Sequence, residues 1–89
     1  MHPEADKEMN EYIATFHTHI AAMRTQRRLS ALGVSARLSP VPRSLSASCG
    51  TCVRYKADEV RLESMDKDVE RVVRVKEQEG EYELLYLNE

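Results

Sequence analysis

The sequence predicts an α+β protein, a ferredoxin-like βαββαβ sandwich in which a four-stranded antiparallel sheet carries two helices on one face. Three observations lead there. Period-two alternation of apolar residues opens the domain at 11–16 and closes it at 82–87. Two stretches with helical spacing each run into a glycine, Gly33 and Gly80. Two more short alternating runs lie between them, on either side of a Pro- and Ser-rich loop.

The elements follow in order. In EYIATF, residues 11–16, Tyr12, Ala14 and Phe16 share one face, as a half-buried strand requires. Thr18 is placed to cap the helix that follows. From His19 to Leu32 the helical spacing puts Ile20, Met23, Arg27 and Ala31 on one side, with Ala22 and Leu29 nearby. Val34–Ser39 alternates again, and Pro40 and Pro42 end that strand. Residues 44–48 are small and polar, a loop. Thr51–Tyr55 reads as the third strand, and 57–63 as either a loop or an early helical turn. From Ser64 the recurrence of Met65, Val69, Val72 and Lys76 predicts a second helix, closed by Gly80. Tyr82–Leu87 is the last strand, with Tyr82, Leu84 and Tyr86 on one face. The expected sheet order is 4-1-3-2, which places the third strand between the first and second.

Size and composition bound the function. A chain of 89 residues supplies one two-layer core and no deep enzyme pocket. No apolar run approaches the roughly 20 residues of a membrane span. The polar residues 1–10 lack the layout of a signal peptide and read as a flexible tail before a domain spanning 11–89. The expected location is the cytoplasm, where thiols stay reduced. The net charge is −2, yet Asp and Glu are absent from 12–56, a segment that holds Arg24, Arg27, Arg28, Arg37, Arg43, Arg54 and Lys56. With aromatics at 6%, nucleic-acid binding is not expected. An acidic protein docking on Arg24, Arg27 and Arg28 of the first helix is the alternative use of that charge. No catalytic acid pair, P-loop or dinucleotide fingerprint is present.

The chemistry therefore concentrates in PVPRSLSASCGTCVRY, residues 40–55. The expected topology brings Cys49 to the end of the sheet where the first strand stops, near His17, Thr18 and the N–H groups of the first helix. Such a terminus favours a thiolate. Gly50 leaves the backbone beside the thiol free of a side chain. Cys49 and Cys52 sit at C-x-x-C spacing, but on a strand three residues span about 10 Å. A disulfide needs Cα atoms about 4.4–6.8 Å apart, so pairing them requires a bend at Gly50 and Thr51. A Cys2His2 zinc site with His17 and His19 fits by ligand type and is not expected.

Several stretches carry a resemblance: TFHTH at 15–19, Ala22–Met23, RLSPVPRSLSASCG at 37–50 and the Tyr–Glu pair near the end. They resemble a small family of selenium/sulfur carrier-like proteins, long described only as a domain of unknown function. The resemblance runs from about Tyr12 to Tyr55 and resumes near Gly80. It implies that Cys49, presented by Gly50, is a carrier thiol, with Arg43 and Ser46 shaping its loop. Cys52 departs from the family pattern, and the segment after Tyr55 is longer. The expectation is a carrier rather than a turnover enzyme. It would hold sulfur or selenium covalently on Cys49 with no cofactor, and Cys52 would be an auxiliary thiol only if the strand start is bent. Its partners would be donor and acceptor proteins, and an edge strand at Val34–Ser39 or Tyr82–Leu87 could join it to a second copy.

Overall fold

The computed structural model describes residues 9–78 and 80–88; of the tail expected over 1–10, residues 1–8 lie outside them, while Met9 is exposed and Asn10 opens the first strand. The fold is α+β, with one helix and a five-stranded sheet in which every neighbouring pair is antiparallel. β1 (Asn10–Phe16) leads through the cap into α1 (His19–Ala31), then β2 (Ser35–Pro40) and β3 (Thr51–Ala57). A 3-10 turn at Leu62–Ser64 precedes β4 (Val69–Val75) and β5 (Tyr82–Leu87). The sheet order is β2-β3-β1-β4-β5.

In the first half the element order is as the sequence predicts. Tyr12, Ala14 and Phe16 are buried in one cluster with Val53 and Tyr55 of β3, beneath Ala21, Ala22 and Leu29 of α1. The Tyr12 and Tyr55 rings stack with centroids 5.1 Å apart. Thr18 caps α1, its Oγ1 accepting from the Ala21 N–H at 3.1 Å. Gly33 takes the chain out of the helix at φ 85°, a conformation glycine adopts without cost. β3 lies between β1 and β2, antiparallel to both. The face of α1 differs from the expectation. Ala21, Ala22, Thr25 and Leu29 are buried, while Ile20 is exposed and Arg27 and Ala31 are on the outside.

The second half corrects the prediction. Among the described residues no second helix forms: the stretch expected to be helical from Ser64 holds the end of a 3-10 turn and the strand β4. The misleading signal has a physical origin. Phe16 pairs with Val69 and Thr15 pairs with Arg71, so Glu70 is an extra residue, a β-bulge. The bulge puts Val69 and Val72 on the same face three residues apart instead of two, which imitates a helical repeat. The β-branched content of VERVVRV is what a strand prefers. β4 takes the place beside β1 expected for 82–87, and β5 stays at the sheet edge, now beside β4. A second bulge, at Leu85 of β5, separates Tyr82 from Tyr86. Tyr86 packs against the helix-side cluster and Tyr82 against the opposite one, so they do not share a face. The ambiguous 57–63 segment resolves into the end of β3, a bend and Arg61 in a left-handed conformation at φ 59°.

With one helix, only one side of the sheet has a helical layer. On the other side Ile13, Cys52 and Val73 are buried beneath Val41 and Leu45, with Val75 and Tyr82 at the flank. The loop that carries Cys49 thus also roofs the second, smaller core. That couples the packing of the open face to the placement of the thiol.

Candidate functional site

The 41–50 loop is held against the helix terminus at two points, one on each side of Cys49–Gly50. On one side Ser48 Oγ lies 3.3 Å from His17 Nδ1. On the other, Thr51 Oγ1 lies 3.1 Å from His19 Nδ1. His17 follows β1 and His19 opens α1, so the loop and the β1–α1 corner meet as the topology requires. Cys49 between these contacts is half-buried, and its thiol donates to the Thr51 carbonyl at 3.3 Å. A Cβ on Gly50 would meet nothing within 4 Å, so neither packing nor backbone strain demands glycine there.

Glu70, which the sequence reading placed in a helix, reaches this loop from the bulge in β4. Its carboxylate accepts from the Ser48 N–H at 3.1 Å and from the Ser48 hydroxyl at 2.9 Å. It also stands 3.8 Å from His17 Nδ1. Partial burial pushes this carboxyl upward, but the two Ser48 donors, His17 and Arg71 outweigh it and hold the group below its ordinary value. The sign for stability follows. A depressed carboxyl stabilises the fold above its unfolded value of about 4.3, and that contribution is lost as pH falls through the lower folded value. Glu70→Gln is therefore expected to flatten the acid limb of a stability-versus-pH curve measured by urea unfolding. An acid limb as steep as wild type would show that the contact adds nothing.

Cys52 lies in a different environment from Cys49. It is fully buried on the open sheet face, opposite Thr15 of β1, and its thiol donates to the Pro40 carbonyl at 3.6 Å. Burial pushes its thiol up, against the pull of the nearby Arg54 and Arg37 guanidiniums. Both cysteines are free. Limited alkylation near neutral pH, read by peptide mapping, is expected to modify Cys49 at least about tenfold faster than Cys52, because only the buried thiol must wait for an opening of the structure. Equal rates would contradict this assignment.

Other sequence candidates are placed as follows. Arg43 and Ser46 are exposed on the loop, and among the described residues neither side chain makes a hydrogen bond or ion pair. Among the described residues, no three His, Cys, Asp or Glu side chains gather as a metal site would need. Arg24 and Arg28 of α1 each stand 3.8 Å from the buried carboxylate of Asp66, so that arginine face is partly neutralised from within the chain. Ser48, Thr51 and Glu70 went unnoticed in the sequence. The β-branched density of β4 was the available signal for Glu70; the other two became visible only once the loop met the corner.

Fold and contacts together define a small α+β domain that presents one half-buried cysteine from a loop fastened to a helix start. The chain belongs to the family described as "Putative Se/S carrier protein-like", whose model matches residues 11–83. It is also similar to the "Uncharacterized protein YtiA" of Escherichia coli (strain K12), with 36% identity over 45 residues. That match covers 51% of this chain and 53% of the relative, so the chain spans about half the length of the curated relative it matches. No solved structure gives a significant match. A carrier-like family implies partner proteins in general. Among the described residues no helix is long and apolar enough to cross a membrane.

Proposed function

We propose that the protein is a cytoplasmic sulfur or selenium carrier whose working group is the Cys49 thiol. The observation that carries the reading is the double fastening of the cysteine loop, Ser48 to His17 and Thr51 to His19, with a half-buried thiol and open space at Gly50 between them. Membership of the carrier-like family supports it.

In loading, the Cys49 thiolate attacks the terminal atom of a donor persulfide, R–S–SH. The new bond joins Cys49 Sγ to that sulfur, the donor's S–S bond breaks, and R–S⁻ leaves. In unloading, an acceptor thiolate attacks the same terminal atom and Cys49 leaves as the thiolate. Selenium follows the same path with R–S–SeH. No net oxidation occurs, and thiolate fraction, access and leaving-group basicity set the rates. Arg43, exposed on the loop, and the helix start, with its unpaired N–H groups behind the Thr18 cap, would balance the charge of the loaded terminal atom. Gly50 leaves the approach clear, and Ser46 belongs to the loop that shapes it. Cys52, buried on the other face, serves as packing and not as a resolving thiol.

The test is to incubate the reduced protein with a small persulfide donor and map the product. One sulfur atom retained on the Cys49 peptide is the expected result. Retention only on Cys52, or none above the level of the Cys49→Ser chain, would refute the reading.

The edge strand β5, with Leu84, Leu85 and Leu87 exposed, is the surface on which we place a second copy of the chain. Sedimentation at rising concentration should show a dimer that a lysine at Leu85 abolishes; a monomer throughout would remove this element.

A further inference from the structure

The contact chain Glu70–Ser48–His17 specifies more than the position of a loop. A serine hydroxyl has one proton to give. Ser48 Oγ lies 2.9 Å from Glu70 Oε2, and an ionised carboxylate can only accept, so the hydroxyl proton goes to Glu70. What Ser48 Oγ then offers to His17 Nδ1, 3.3 Å away, is a lone pair. Two lone pairs cannot face each other across a hydrogen bond, so Nδ1 must carry a proton. Glu70 Oε2, itself 3.8 Å from Nδ1, favours that proton electrostatically. The charged groups that face this carboxylate are His17 from the end of β1 and Arg71 beside it on β4, and both favour its ionised form.

We propose that Glu70, acting through Ser48, fixes which nitrogen of His17 is protonated, so that the neutral ring carries its proton on Nδ1 and keeps Nε2 as the proton acceptor of the site. Glu70 is thus a positioning residue, delivered to the loop by the β4 bulge. The contrast within the site is His19. Its Nδ1 meets the Thr51 hydroxyl at 3.1 Å, and among the described residues no carboxylate is paired with that hydroxyl, so nothing dictates its tautomer.

The consequence rests on the carrier reading of Cys49. In the resting structure the Cys49 thiol donates to the Thr51 carbonyl; on the carrier reading that proton passes to His17 Nε2 as the sulfur attacks the donor persulfide. The imidazolium then returns that proton to the departing R–S⁻. Cys49–SH and R–S–SH thereby become Cys49–S–SH and R–SH, with the histidine regenerated.

The test separates the proton's address from the carrier chemistry. Long-range ¹H–¹⁵N spectra of the full chain, recorded at alkaline pH where an imidazole is neutral, distinguish the two tautomers. Wild type is expected to show His17 protonated at Nδ1, with His19 as a mixture. In Glu70→Gln the amide oxygen still takes the Ser48 N–H, but the amide NH2 now donates to Ser48 Oγ. The hydroxyl proton is released from residue 70 and is free to turn to His17, so the tautomer should shift toward Nε2–H. Ser48→Ala, which removes the intermediary and leaves only the 3.8 Å approach of Glu70, should weaken the Nδ1–H preference of His17. A wild-type His17 protonated at Nε2, or the same tautomer in wild type and Glu70→Gln, would overturn the proposal.

Alkylation of Cys49 supplies the second readout, with a loss of about tenfold or more expected in Glu70→Gln. A shifted tautomer with an unchanged Cys49 rate would remove His17 from the thiol chemistry. Neither result bears on whether Cys49 retains sulfur, which is decided by mass.

Discussion

Cys49→Ser is expected to abolish retention of sulfur or selenium completely while leaving the fold in place. The serine hydroxyl can still donate to the Thr51 carbonyl, and the side chain is only half-buried, so the stability change should stay within about 1 kcal/mol. Cys52→Ser tests the converse. It places a hydroxyl in a fully buried apolar cluster beside Ile13 and Val73, so its cost should fall on stability and not on loading. Intact mass after donor treatment and thermal unfolding together read both outcomes. A Cys49→Ser chain that still retains the atom, or a Cys52→Ser chain that folds and cannot load, would reverse the roles assigned to the two thiols.

The largest effect on stability is expected from Phe16→Ala. Phe16 is fully buried in the helix-side cluster, opposite Val69, and the next residue is His17. Truncating a buried phenylalanine costs about 3–5 kcal/mol, a large share of the roughly 5–15 kcal/mol that holds a small domain together. The unfolding temperature should fall by roughly 12 °C or more, since 1 kcal/mol shifts it by about 4–8 °C at this size. The same cavity loosens the β1–α1 corner to which the cysteine loop is fastened, so protection of the Ser48 amide from exchange should fall with stability. A loss of less than about 1 kcal/mol would mean that the core is not centred on this residue.

What the sequence made legible was local. The Tyr12–Ala14–Phe16 alternation, the Thr18 cap and the Gly33 stop are each decided by neighbouring residues, and each is present in the fold. The hairpin of β2 and β3 and the seat of β3 beside β1 followed from the βαββαβ order expected of the chain. They placed Ser48 and Thr51, on either side of Cys49, against His17 and His19. What failed was register. A bulge is invisible to a periodic reading, and the one at Glu70 turned the Val69–Val72 spacing into an apparent helix. The same error hid Glu70 from the site. By position it belongs to the acidic last third of the chain, yet the bulge aims it into a loop whose own segment, 12–56, holds no Asp or Glu. The bulge at Leu85 likewise separated Tyr82 from Tyr86, which a strict alternation had put together.

The central claim is that Cys49 holds a sulfur or selenium atom for transfer to a partner. Intact-mass analysis of protein purified gently under non-reducing conditions tests it most directly. The account predicts a population heavier by one sulfur or one selenium atom, located on the Cys49 peptide, removed by a thiol reductant and absent from Cys49→Ser. Unmodified protein throughout, with no adduct even after exposure to a persulfide donor, would contradict it.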